Sequence, residues 1–188
     1  MTDRGKSASR NIIIIKPTIK GLAELGTEYK GFLYTGLMII ENEPYLIEYN
    51  VRMGDPECQT ILPKVKTDII DIFNACCEKK LHEIEIQWSN KKSLCVVLCS
   101  NGYPDLYKKN IEIENLSEIK LKSDEYLFHA GTIKKNDKLY AIGGRVLNFV
   151  TTSENFQSAK KSIYKNLEKL EWSGGFYRKD IGHKVIEI

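Results

Sequence analysis

Glu48-Tyr49-Asn50-Val51-Arg52-Met53-Gly54-Asp55-Pro56-Glu57 sets a carboxylate, a carboxamide and a guanidinium two residues apart, then turns into a second acidic pair. The lead-in, Pro44-Tyr45-Leu46-Ile47, reads as a strand, and alternate side chains of a strand share a face. Glu48, Asn50 and Arg52 are therefore expected on one surface of a strand spanning Tyr45 to Arg52, with Ile47, Tyr49 and Val51 on the other. Two oxygen ligands beside a fixed cation suit Mg²⁺ carrying nucleotide phosphates, because this ion prefers hard oxygen donors and takes only one or two carboxylates. Arginine is the matching partner for a phosphate or for charge that builds up during transfer. The plain alternative for Glu48 and Asn50 is the polar face of an ordinary edge strand.

Working outward, Gly31 to Ile40 reads as an apolar strand, and Glu41-Asn42-Glu43-Pro44 as the turn of an antiparallel hairpin. Upstream, Ile12, Ile15, Ile19 and Leu22 fall at helical spacing, so a helix is expected over Asn11 to Leu25, starting or kinked at Pro17 and ended by Gly26. Met1 to Arg10 reads as a mobile tail. Downstream, Thr67-Asp68 caps a helix running to about Lys80. Beyond it the pattern changes. Glu83 to Trp88 alternates like a strand, Leu94 to Cys99 reads as a buried strand, and Asn101-Gly102-Tyr103-Pro104 as a turn. Short strands are expected near Ile111 and over Tyr126–Thr132, Leu139–Ile142 and Arg145–Val150. A helix follows from Thr152-Ser153-Glu154 to about Leu170, with Ile163, Leu167 and Leu170 inward. Gly143-Gly144 and Gly174-Gly175 read as turns with left-handed glycines. The best single boundary is near Leu81.

Composition narrows the classes. The 188 residues are 42% hydrophobic, enough for a packed core of one domain or two small ones. A net charge of +3, from 28 basic and 25 acidic residues, makes no case for a nucleic-acid partner. The apolar run Ile12 to Ile15 is too short for an export signal or a membrane span, so no membrane partner is expected and the cytoplasm is the default. Cys95 and Cys99, four residues apart in one strand, stand about 13 Å apart, too far for a disulfide. No Cys-x-x-Cys with a partner His occurs, and reduced thiols are expected.

The decisive stretch resembles the metal-binding strand of the ATP-grasp ligases, and in its detail, from Ile47 to Glu57, the phosphoribosylamine–glycine ligase family. Five further stretches agree, in the family's order: Ile15-Lys16-Pro17-Thr18, Tyr34-Thr35-Gly36-Leu37-Met38, Phe128-His129-Ala130-Gly131-Thr132, Gly143-Gly144-Arg145-Val146-Leu147 and Phe176-Tyr177-Arg178-Lys179-Asp180-Ile181-Gly182. Val51 and Met53 stand where the family more often has Ala and Phe. Met1 to Arg10 match nothing in it.

The resemblance implies an α+β chain. Residues 11–80 would be the C-terminal part of an ATP-grasp module, an antiparallel sheet plus helices, and residues 81–188 a small α+β C-terminal domain. It implies ATP-dependent joining of glycine to phosphoribosylamine through an acyl phosphate, with Mg²⁺ or Mn²⁺. Glu48 and Asn50 would hold the metal, and Arg52 would contact the transferring phosphoryl group as the catalytic cation. Asp55 or Glu57 would grip the glycine ammonium. Arg145 would reach a substrate phosphate, its plain alternative being a turn residue. His129 is expected to be a hydrogen-bonded structural residue, and Arg178 and Asp180 an ion pair. Family members also carry an N-terminal substrate domain and the first half of the ATP-grasp module, neither of which is in this sequence. The expectation therefore divides between a ligase part that docks with an N-terminal half and a catalytically inactive remnant. Docking predicts an exposed apolar surface on the Gly31–Val51 hairpin.

Overall fold

The computed structural model describes residues 11–170 and 172–186; the Met1–Arg10 tail lies outside them. In chain order the elements are α1 (Lys16–Glu24), β1 (Tyr34–Ile40), β2 (Glu43–Asn50), α2 (Glu57–Ile61), α3 (Ile69–Cys77), β3 (Lys92–Ser100), β4 (Ile111–Glu112), β5 (Glu125–His129), β6 (Thr132–Lys135), β7 (Lys138–Ala141), β8 (Arg145–Ser153), α4 (Phe156–Lys169), β9 (Gly175–Phe176) and α5 (His183–Ile186). This is the expected α+β mixture. It divides into two units that interleave in sequence, where one boundary near Leu81 was expected. The described residues up to Gly54 with Thr67–Ile86 form one unit; Asp55–Lys66 and the described residues from Gln87 onward form the other. The segment Asp55–Lys66 joins the second unit for clear reasons. Its α2 packs on β3, Lys66 N donates to Gln87 O at 2.9 Å and Ser89 N to Lys64 O at 2.7 Å.

In the first unit a π-helical turn, Asn11–Ile15, runs into α1, with Pro17 in the first turn, where its missing N–H costs nothing. Gly26, at φ +76°, ends α1; its N–H reaches Ala23 O and that of Thr27 reaches Leu22 O, the paired bonds that satisfy a helix C-terminus. β1 and β2 form an antiparallel hairpin through Glu41-Asn42, at φ +51° and +71°, the left-handed pair that matches strand twist. β2 begins at Glu43, two residues earlier than expected, and ends at Asn50. Asp68 caps α3 by accepting from Ile70 N at 2.8 Å, and α3 ends three residues short of Lys80. Phe73 of α3 meets Phe32 edge to face at 5.9 Å. Lys30 Nζ reaches Cys77 O at 2.8 Å. Glu83 to Trp88 forms no strand: a short 3₁₀ turn, Leu81–Glu83, is followed only by a bridge from Trp88 to Val65 within the second unit.

The second unit holds an antiparallel sheet of order β5-β8-β3-β9 and a smaller sheet of order β4-β7-β6. Period-two alternation puts Leu94, Val96 and Leu98 of β3 on one face. There they meet Leu147 and Phe149 of β8 and Ala159, Ile163 and Leu167 of α4, all buried. Asn155, rather than Thr152, caps α4, accepting from Ser158 N at 2.8 Å. Two glycine expectations change. Gly143-Gly144 does not close a hairpin, because β7 and β8 lie in different sheets, and neither glycine has positive φ. Their smallness serves close approach instead: a Cβ on Gly131 would fall 2.5 Å from Gly143 Cα. Gly174 and Gly175 likewise lack positive φ; they pass beneath the Trp172 ring, where a Cβ would sit 2.7 Å and 2.2 Å from it.

Glu125 is the buried charge of this unit, 8% exposed. Its carboxylate accepts from Ser162 Oγ and Asn166 Nδ2 of α4 and from Lys122 N, so it ties β5 to the helix. Burial pushes its pKa up, but these hydrogen bonds together outweigh burial and hold it below the ordinary 4.5. A depressed carboxyl pKa contributes stability above the unfolded value and loses it as pH falls through the folded one. Glu125→Ala should therefore cost about 1.5–3 kcal/mol at neutral pH, the range for hydrogen bonds to a charge. In urea melts the gap from the parent should narrow below about pH 4; a constant gap would contradict the assignment.

Candidate functional site

The expected face of β2 forms, but it carries two of the three residues. Glu48 pairs with Gly36 and Asn50 with Tyr34, and the register shifts between Gly36 and Leu37, leaving Ile47 as the extra residue. Asn50 Nδ2 donates to Glu48 Oε1 at 2.9 Å. That bond orients the amide so that Asn50 Oδ1 and Glu48 Oε2 accept no hydrogen bond among the described residues. Gly36 contributes by having no side chain: a Cβ there would stand 3.0 Å from Glu48 Cγ. In the sequence Gly36 stands in a matching stretch with no role of its own, and cross-strand register supplies one. Arg52 lies beyond the strand in the following bend, exposed, with NH1 donating to Met53 O at 3.1 Å. It shares no strand face with Glu48 and Asn50, because the ladder stops at Asn50.

In the second unit, Asp55 and Arg145 are partners of each other. Arg145 NH2 lies 3.1 Å from Asp55 Oδ2, and NH1 donates to Asp55 O at 3.2 Å. Gln59 Nε2 donates to Asp55 Oδ1 at 2.8 Å. Both oxygens of this carboxylate are thus occupied within the chain. Glu57, in the first turn of α2, makes no hydrogen bond or ion pair among the described residues. The Gly-Asp-Pro-Glu turn is fastened through Asp55 and leaves Glu57 as its unengaged carboxylate.

His129 Nδ1 pairs with Thr132 Oγ1 at 3.0 Å, the structural role expected of it. Arg178 and Asp180 form the expected ion pair, with Nε donating to Oδ1 at 2.9 Å. All five cysteines are free. Burial, with Asp55 nearby, pushes the Cys95 thiol up to about 12; burial also raises Cys99, against a pull from Arg145. Among the described residues no three or more His, Cys, Asp or Glu converge as a metal cluster, and no helix is long and apolar enough to cross a membrane. Glu48 with Asn50 still fits Mg²⁺. The pair offers one carboxylate and one amide oxygen on one strand face, and Mg²⁺ draws its other ligands from water and phosphate.

Two family profiles match the chain. The ATP-grasp (A) domain of phosphoribosylglycinamide synthetase matches residues 3–58, and the C domain of the same synthetase matches residues 93–184. The first match begins inside Met1–Arg10, the stretch expected to match nothing. The phosphoribosylamine–glycine ligase of Caldanaerobacter subterraneus subsp. tengcongensis is 42% identical over 168 residues, 89% of this chain and 40% of that protein. The chloroplastic phosphoribosylamine–glycine ligase of Arabidopsis thaliana is 38% identical over 177 residues, 92% of this chain and 33% of that protein. The crystal structure of phosphoribosylamine–glycine ligase from Thermotoga maritima superposes with a TM-score of 0.73 at 35% identity, over 87% of this chain and 40% of that one. The chain thus spans about two fifths of the length of the bacterial relatives it matches. On both domain matches and these relatives, the chain belongs to the phosphoribosylglycinamide synthetase family and carries part of its ATP-grasp domain together with its C domain.

Proposed function

We propose that this chain supplies the metal-binding strand and C domain of an ATP-dependent ligase that joins glycine to phosphoribosylamine in purine biosynthesis. The observation that carries the reading is the Asn50–Glu48 hydrogen bond on β2, inside the matched ATP-grasp domain. A free carboxylate is a poor electrophile, so the proposed route makes an acyl phosphate of glycine at the expense of ATP. The phosphoribosylamine amine then attacks its carbonyl carbon, the C–O bond to phosphate breaks, and an amide, phosphate and ADP result. Glu48 and Asn50 would hold Mg²⁺ or Mn²⁺, which neutralises charge on the ATP phosphates. Arg52, exposed past the strand end, would meet the transferring phosphoryl group. Glu57 is the better candidate for the glycine ammonium, because Asp55 is already bound on both oxygens. Asp55 would position the turn, and Arg145, with donors to spare beyond this pair, would also serve a substrate phosphate.

The hairpin supports a partner for this chain. Among the described residues β1 and β2 form a two-stranded sheet, a size marginal in water by itself. Ile47 is 63% and Val51 70% exposed, with Tyr45, Met38 and Ile40 also open. A partner that adds strands and an apolar cover, the remaining ATP-grasp module on the same or a separate polypeptide, fits that surface. The five free thiols suit a reducing compartment such as the cytoplasm.

Oxygen-labelled glycine tests the chemistry. With the module completed, one label per turnover should appear in the released phosphate, because a carboxylate oxygen becomes the bridging oxygen of the acyl phosphate. Unlabelled phosphate alongside amide product would contradict this route.

A further inference from the structure

The stretch Ile15-Lys16-Pro17-Thr18 has no part in the site described above. Its last residue meets the strand of Glu48 and Asn50 from behind. Alternation puts Tyr49, which lies between those two residues, on the opposite face of β2. The Tyr49 hydroxyl is hydrogen-bonded to Thr18 Oγ1 of α1. Thr18 Oγ1 also donates to Ile14 O at 2.8 Å. A threonine hydroxyl has a single proton, and here it goes to Ile14 O. Tyr49 therefore donates to Thr18. The result is a relay from the rear of the strand through α1 to the backbone of the π-helical turn. Hydrogen bonds in such a chain polarise and strengthen one another.

The relay acts where the ladder is weakest. The register shift at Ile47 lies immediately before Glu48, and pairing to β1 stops at Asn50. Glu48, Tyr49 and Asn50 are thus held by three pairs, to Gly36, Thr35 and Tyr34, between a bulge and a strand end. A bulge bends a strand and raises its local twist, and past Asn50 no rung opposes that twist. Tyr49 is 36% exposed, so packing alone fixes its ring only in part. The bond to Thr18 ties the strand to α1 at the residue between the two proposed ligands.

Twist at Tyr49 changes the angle between its neighbours, and with it the separation of the oxygens that Glu48 and Asn50 offer on the other face. Mg²⁺ demands near-ideal octahedral geometry with ligands at about 2.0–2.1 Å, so it is sensitive to that separation.

We propose that Tyr49 and Thr18 are positioning residues for the Glu48–Asn50 pair: their bond sets the twist of β2 at which both oxygens face one cation. The inference rests on the metal reading of that pair, and it gives neither Tyr49 nor Thr18 a contact with metal or substrate.

Two measurements on the whole folded chain test it. One is Mn²⁺ titration followed by the relaxation of water protons; the other is the proton–nitrogen spectrum of the Asn50 side-chain amide without metal. Tyr49→Phe and Thr18→Val each delete one hydroxyl and keep the shape. Each is expected to weaken Mn²⁺ binding about two- to tenfold, the range for one neutral hydrogen bond, and to move the Asn50 amide resonances. The two substitutions together should cost no more than either, since both break the same bond. Thr18→Ser keeps the hydroxyl and should return both readouts to those of the parent. Tyr45→Phe, which removes another hydroxyl of the same strand, should change neither. Asn50 resonances that respond to Thr18→Val and return with Thr18→Ser support the proposal even where the chain alone holds no Mn²⁺. Mn²⁺ binding unchanged by Glu48→Gln would sink the metal reading and leave the positioning to be decided by those resonances. Asn50 resonances indifferent to Thr18→Val, or Mn²⁺ binding weakened by Glu48→Gln but not by Thr18→Val, would overturn the proposal.

Discussion

Phe149→Ala is expected to destabilise the second unit by about 3–5 kcal/mol, the range for truncating a fully buried aromatic ring. Phe149 is 1% exposed. It sits in the central strand β8, paired with Val96 of β3 and Leu127 of β5, and belongs to the cluster that includes Ile163 and Leu167 of α4. Deleting the ring removes apolar contact on three elements at once, and strands held in two ladders cannot close the space. Domains of this size are stable by only about 5–15 kcal/mol, so the variant should unfold at much lower urea. Val51→Ala is the contrast: at 70% exposed, it should change the stability of this chain by less than about 0.5 kcal/mol. A loss below about 1 kcal/mol for Phe149→Ala would mean that the core is not organised around β8.

Glu48→Gln is expected to cost a completed ligase at least about a thousandfold in turnover. The substitution keeps shape and leaves an oxygen to accept from Asn50 Nδ2, so the strand face should survive. What disappears is the only carboxylate of the proposed metal pair. Metal neutralisation of phosphoryl charge contributes several kcal/mol, and each 1.36 kcal/mol is about tenfold in rate. Excess Mn²⁺ should restore part of the loss, because the amide oxygen remains a weak ligand. Full turnover by Glu48→Gln at ordinary Mg²⁺ would remove Glu48 from the metal site.

Much of this was legible in the sequence because it is local. Period-two alternation placed Glu48 and Asn50 on one face and identified β3, and Asp68 announced the start of α3. The failures arise where distant chain decides. Arg52 follows the same alternation, but the ladder ends at Asn50, and pairing to β1 rather than side-chain pattern sets that end. Asp55 reads as a candidate for the glycine ammonium and Arg145 for a substrate phosphate, and only the fold brings together two residues 90 apart in sequence. Gly143-Gly144 has the composition of a turn, yet its glycines answer to Gly131 and Tyr103, close approaches that no local pattern reveals. The interleaving of the two units has the same origin. Asp55–Lys66 falls inside the expected 11–80 part, but its hydrogen bonds go to Gln87 and Ser89.

The central claim is that this chain completes a glycine-activating ATP-grasp site. The most direct measurement is ADP release from Mg·ATP by this chain mixed with a folded N-terminal portion of a family ligase. The account predicts release that requires both glycine and phosphoribosylamine, that neither polypeptide gives alone, and that disappears with Glu48→Gln. No release from a mixture in which both parts are folded and associated would contradict it.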